Sequence, residues 1–480
     1  LEDRTLDLII IIIYLIGVAL FGIISGGKQK TVNDYFAGSK NVPWWAVCFS
    51  IVAAETSTLT FISIPGLAYI ANLNFLQVTF GYLIGRIIVA YLFLPAYDKG
   101  DLKTAYTFLQ NRFGGRTRSF ASVVFLFTRT AADGVRLFAT AIPLKLMLDI
   151  NYPTAILIIA VVSLIYTYTG GLKGIIWVDV IQMFIYLGGA IVAGIFLLNL
   201  LPDGWSSVKT AAAQADKLNI IHFGFENGFA GFFSQPYTLI GGLVGGAFLS
   251  MASHGTDQLI VQRLLSTKNL KDSQKAIIGS GIVVIIQFAI FLALGVMLYA
   301  FYGTLNIKSD EIFPTFIINV LPPGVTGIII AGLFAAAMST LAGSMSSLSS
   351  STVHDLYIPF FGKDIVEDKK LKISRLFTIA WAGLLILSAL FFMNTSRAVV
   401  ELALSIASFT YGGLLGTFLL GVLNKKVKEK EALIGFVSGI LIMIVVISLK
   451  LVAWTWFTII GVIATVCIGS VLSIKNKNIK

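Results

Sequence analysis

The sequence predicts an all-α membrane protein, and three observations lead there. Apolar residues make up 57% of the 480-residue chain and charged residues 12%; that is about half the charged share of an average globular domain. Mean hydropathy is +0.88. The apolar residues also come in long unbroken runs rather than at the periods of amphipathic strands or helices. A chain with so little polar surface cannot cover itself in water. A soluble enzyme, a secreted disulfide scaffold and a nucleic-acid-binding domain are therefore excluded.

Crossing the hydrocarbon core takes about 20 apolar residues in a helix. That ruler predicts spans at 6–26, 44–70, 75–97, 119–148, 153–170, 175–200, 236–260, 275–302, 325–352, 374–394, 399–423, 432–450 and 453–473. The first run follows acidic residues and reads as a spanning helix, not a removed signal. The chain starts at Leu1 rather than Met, which reads as N-terminal processing. Cys48 and Cys467 lie in apolar segments and read as small buried hydrophobes.

Thirteen spans put the termini on opposite sides. One set of loops carries Lys28, Lys30, Lys40, Lys99, Lys103, Arg112, Arg116, Arg118 and most of the other basic residues. The opposite set holds only Arg4, Lys145, Lys209, Lys217, Lys308, Arg397 and Lys450. Basic loops stay in the cytoplasm, so the N-terminus is outside and the C-terminus is cytoplasmic. The net charge of +11 then reports topology and not a nucleic-acid partner. Loops 201–235 and 354–373 are too short to be catalytic modules.

Ionisable or helix-breaking groups inside lipid are costly, so each marks a candidate site. The second span contains AAETSTLTFISIPG from Ala53 to Gly66, with Glu55, five hydroxyl residues and a Pro-Gly pair. Either this is a polar face packed on neighbours, or the helix is unwound and its freed carbonyls bind a cation or solute. The seventh span has Gly241 and Gly245 at the spacing of close helix contact. It turns polar at Ser253, His254, Gly255, Thr256, Asp257 and Gln258. The two interrupted spans lie five apart, and each opens a block of five, the arrangement of inverted repeats. The predicted organisation is an extra helix and loop (1–43), a first repeat (44–200), an external loop (201–235), a second repeat (236–423) and two final helices with a tail (424–480).

The ninth span places Ser339 and Thr340 side by side in an Ala-rich helix. Hydroxyl oxygens at that density suit a hard monovalent cation bound weakly enough to leave again. In the fourth span Arg129, Asp133 and Arg136 share a face, as a structural ion pair or a solute-binding one. Asp179 lies one turn into the sixth span, as a structural acceptor or an ion relay, and Glu401 sits near the outer end of its helix. No phosphate-binding glycine loop, nucleophile elbow or catalytic acid pair is present. Accumulation by such a chain would draw on an ion gradient.

Several runs together resemble the sodium/solute symporter family, which includes bacterial proline and sialic acid transporters and the sodium/glucose cotransporters. They are AAETS from Ala53, TGG from Thr169, IWVDVIQ from Ile176, TDQLIVQR from Thr256, AAMSTL from Ala336 and HDLY from His354. The resemblance implies a LeuT-type core of two inverted five-helix repeats and uptake coupled to Na+. It places sodium on the carbonyls of Ala53, Thr56 and Ala336 and the hydroxyls of Ser339 and Thr340. A second sodium site known in some sialic acid transporters keeps its aspartate, Asp179. Its two serine positions read Ala342 and Gly343, so one sodium per cycle is expected.

The solute pocket implied is lined by Glu55, Ser57, Thr60, Phe75, Thr79, Ser253, His254 and Gln287. The position of the sialic-acid-binding arginine reads Ala132, with Arg136 one turn away. The glucose-type Gln position reads Leu404. A sugar or sugar acid is the first expectation and an amino acid the second. Proton coupling through Glu55 or Asp179 is the rival within transport, and a membrane sensor the rival outside it. The expected protein is a multi-pass plasma-membrane importer, bacterial and functional as a monomer in the bilayer.

Overall fold

A computed structural model describes residues 4–475 except 101, 149, 227, 363–364 and 394–398. Arg397 lies outside the described residues, as do the side chains of Glu401 and Leu404. The described residues form helices and no strand; the sole bridge pairs Val42 with Thr267. Lipid offers the backbone no hydrogen-bond partner, and a helix satisfies its own.

The main helices are α1 (Thr5–Gly26), α2 (Trp44–Glu55), α3 (Thr58–Ile70), α4 (Leu76–Ile88), α5 (Gly115–Leu148), α6 (Tyr152–Leu200), α7 (Gly246–Gly255), α8 (Gln258–Leu264), α9 (Leu270–Tyr302), α10 (Val325–Ser351), α11 (Glu367–Phe392), α12 (Val399–Leu423), α13 (Glu429–Ser448) and α14 (Phe457–Lys475). Among the described residues, eight helices are long and apolar enough to cross a membrane, or nine if the bent α2–α3 pair is one span.

The predicted interruptions are real breaks. α2 and α3 meet at 68° across Thr56 and Ser57, both in extended backbone. α7 ends at Gly255, and α8 restarts with Asp257 as its cap, accepting from the Leu259 amide at 2.9 Å. α6 runs 49 residues, about 73 Å at 1.5 Å per residue. That exceeds twice the hydrocarbon thickness, and the helix is divided at Gly171, where φ is +57°. A side chain there would be strained, and its Cβ would fall 2.8 Å from the Tyr35 carbonyl. The short connector expected at 171–174 is thus a single non-helical residue.

α10 is almost wholly buried and packs against α6, α1, α5 and α11. Its N-terminus is capped from afar, since Asp7 of α1 accepts from the amides of Gly324 (2.7 Å) and Gly327 (2.8 Å). α12, α13 and α14 pack on one another beside this core. α1 shows most of its apolar surface outward, as a lipid-facing helix must. Cys48 is buried as expected, but Cys467 is exposed on the outer surface of α14, because that face meets no neighbouring helix.

Candidate functional site

The break after Glu55 ends the helical ladder with the Thr56 amide bonded to the Val52 carbonyl at 3.0 Å. The carbonyls from Ala53 to Thr56 thereby lose the donors of a next turn. α10 crosses at this point. Its Thr340 hydroxyl lies 3.3 Å from the Ala54 carbonyl and 3.2 Å from the Ala336 carbonyl. Ser339, one residue earlier, donates to Asp179 Oδ1 at 2.6 Å. Thr56, Ser339 and Thr340 are all buried. Hydroxyl and carbonyl oxygens thus converge between α2 and α10, the donor type that suits a hard cation. No trio of His, Cys, Asp or Glu converges among the described residues.

Beside it opens a cavity of about 490 Å³. Glu55, Ser57, Thr60, Phe75, Ser253 and His254 from the predicted set line it. Thr79 and Gln287 do not. Thr79 is fully buried and bonds the Leu76 carbonyl at 2.8 Å. Gln287 donates to the Thr56 hydroxyl at 2.7 Å and accepts from Tyr186 at 3.0 Å, so it braces the break from behind. Their helical faces point into the bundle, away from the cavity. Phe75 stacks on Phe288, with ring centroids 5.2 Å apart and planes 9° apart, and Tyr237 and Trp454 extend that aromatic wall.

Charges on the cavity wall are nearly all paired. Glu55 bonds the fully buried guanidinium of Arg86, which also reaches the Ser280 hydroxyl at 2.8 Å. His254 Nε2 lies 3.5 Å from Glu55 Oε2, and its Nδ1 lies 2.8 Å from the Ser253 hydroxyl. Across the cavity Arg129 joins Asp133 (2.5 Å) and Asp257 (3.2 Å), and Tyr411 donates to Asp257 at 3.1 Å. Arg129 is consumed by that bridge, at 9% exposure. Arg136 bonds Asp133 through Nη1 at 2.8 Å, yet its side chain stays 24% exposed. Arg136 thus keeps N–H donors beyond that bond on the cavity wall. A narrow cleft beside it is bounded by Ser57, Asp133, Arg136 and Thr340.

The sequence reading missed Arg86, Asp257 and Tyr411. Arg86 had a signal, an arginine inside an apolar span. Asp257 was noted only as part of a polar turn, and nothing local marks Tyr411.

Residues 35–439 match the sodium:solute symporter family. The chain belongs to that family. It is 29% identical to the sodium/sialic acid symporter NanT of Aliivibrio fischeri, over 99% of this chain and 94% of that protein. A solved substrate-bound, outward-open Na+-coupled sialic acid symporter superposes with a TM-score of 0.90 at 27% identity, covering 98% of this chain and 97% of that one. Mhp1, a nucleobase-cation-symport-1 family transporter, shares the fold at a TM-score of 0.60 and 11% identity, over 93% of this chain and 95% of its own. The symporter is thus a sodium-coupled secondary transporter of the LeuT-like fold, a multi-pass protein of the plasma membrane and not an enzyme. Its coupling ion is Na+.

Proposed function

We propose that this symporter imports a sugar acid of the sialic acid type, with one Na+ per cycle. The single observation that carries the solute assignment is Arg136, the partly exposed guanidinium on the cavity wall, which suits a carboxylate. Sodium is assigned to the carbonyls of Ala53, Thr56 and Ala336 and the hydroxyls of Ser339 and Thr340. Ser57, Thr60, Ser253 and His254 bind solute hydroxyls, and Phe75 packs the sugar's apolar face.

Thirteen spans, an outside N-terminus, a cytoplasmic C-terminus and two inverted repeats (44–200 and 236–423) complete the proposal. The loop-charge asymmetry and the paired breaks after Glu55 and Gly255 support it. In that topology Asp310 and Trp454 stand at an outer mouth of the cavity. Sodium tethers α2 to α10 and favours the outward-open form; its release to a low-sodium cytoplasm loosens the inner side. The transporter works as a monomer. A membrane potential adds about 2.3 kcal/mol per charge per 100 mV, enough for one Na+ to concentrate a neutral solute; a monoanion carried with one Na+ draws on the sodium gradient alone.

A second reading has one observation in its favour. Glu55 is 20% exposed on the same cavity and could take the ammonium of an amino acid. Thermal stability in detergent, against sialic acid, neutral sugars and proline in sodium or potassium, separates the readings. A shift with sialic acid only in sodium supports the first, because ligands stabilise the folded state by mass action. A shift with proline alone supports the second, and a shift that ignores sodium overturns the coupling site.

A further inference from the structure

Behind the cation ligands lies a polar cluster that the transport reading leaves unused. Asp179 of α6 and Arg263 of α8 are both 0% exposed and 3.0 Å apart. Asp179 Oδ2 also accepts from the Ser50 hydroxyl of α2 at 2.5 Å. Arg263 Nε donates to that same Ser50 at 2.8 Å, and its Nη1 donates to the Leu259 carbonyl at 2.8 Å. Gly343 of α10 makes room for the guanidinium, since a Cβ there would fall 2.7 Å from Nη2. The other carboxylate oxygen, Oδ1, accepts from Ser339 at 2.6 Å.

A hydroxyl has one proton and two acceptor lone pairs. A serine can ligate a cation well only if its proton points elsewhere. An ionised carboxylate offers acceptors alone, so Asp179 holds the Ser339 proton away from the cation position. A fully buried carboxylate in turn needs a countercharge, and Arg263 is that charge.

We propose that Asp179, Ser50 and Arg263 are positioning residues of the sodium site, acting through Ser339: Asp179 accepts the Ser339 hydrogen bond and so turns the hydroxyl's lone pairs to the ion, while Ser50 and Arg263 hold Asp179 in place and leave no unpaired charge beside it. The proposal rests on the sodium site assigned above. It also makes Asp179 a paired structural anion and not a proton carrier.

The test is sodium titration of the purified full-length protein in detergent, read as the rise in melting temperature as Na+ replaces K+. The variants are Ser50→Ala, Asp179→Asn and Arg263→Lys, with Thr340→Ala as the reference for a direct ligand. Loss of a charge-assisted hydrogen bond corresponds to about a tenfold rise in the sodium concentration at half-effect. That rise is expected for Asp179→Asn, and a smaller one for Ser50→Ala. Arg263→Lys, which keeps the charge but not the fork, is expected to fall between Ser50→Ala and wild type. A purely structural role would lower the melting temperature in K+ and leave the sodium midpoint unmoved. Unmoved midpoints in Ser50→Ala and Asp179→Asn, with a shifted midpoint in Thr340→Ala, overturn the positioning role alone. An unmoved midpoint in Thr340→Ala as well overturns the sodium site itself.

Discussion

Replacing Arg136 by alanine should separate solute binding from sodium binding. The perturbation is local. Asp133 loses the Nη1 contact at 2.8 Å but keeps Arg129 at 2.5 Å and the Ser344 hydroxyl, so it is not left stranded. The wall around it changes from two arginines facing Asp133 and Asp257 to one, a net shift of one negative charge toward the solute. A hydrogen bond to a charged group contributes roughly 1.5–3 kcal/mol. Losing the guanidinium should therefore weaken a carboxylate solute by about 10- to 150-fold. Arg136→Lys keeps the charge and loses the bidentate fork, so its effect should sit at the low end of that range. Sialic-acid binding at saturating sodium, followed by calorimetry or by melting temperature, measures both. The sodium midpoint should stay at the wild-type value in each variant. Wild-type acid affinity in Arg136→Ala would refute the assignment of the anion grip.

Glu55→Gln should destabilise the protein by about 3 kcal/mol, because it strands the fully buried Arg86; the double variant with Arg86→Met should recover most of that, a comparison made by melting temperature. Gln287→Leu should raise the sodium midpoint and spare solute affinity at saturating sodium, since Gln287 bonds Thr56 and does not line the cavity. Gly171→Ala should cost roughly 1–3 kcal/mol from a positive-φ extended backbone that essentially only glycine adopts, with more from the Tyr35 carbonyl; an unchanged melting temperature would show that the break can relax.

Several residues of the candidate site stand out before any fold is known. Glu55 and its hydroxyl neighbours stand out because polar groups are rare in a membrane span. Ser339 and Thr340 stand out because adjacent hydroxyls break an Ala-rich run. Such signals are local. Thr79 and Gln287 mislead for the complementary reason: both are polar residues inside spans, but a span has several faces, and theirs turn into the bundle.

Composition and hydropathy alone determined that this chain lives in a bilayer as apolar helices, and the polar and glycine-containing runs marked two candidate breaks. Lipid imposes those features on each segment separately, through the cost of unpaired backbone and exposed charge. Which charges meet was decided only by tertiary structure. Glu55 finds Arg86 31 residues away, Asp179 finds Arg263 84 away, and Arg129 finds Asp257 128 away. The desolvation penalty demands a partner for every buried charge, but it does not say on which helix that partner sits. The packing that brings α2, α4, α5, α6 and α8 together supplies the answer.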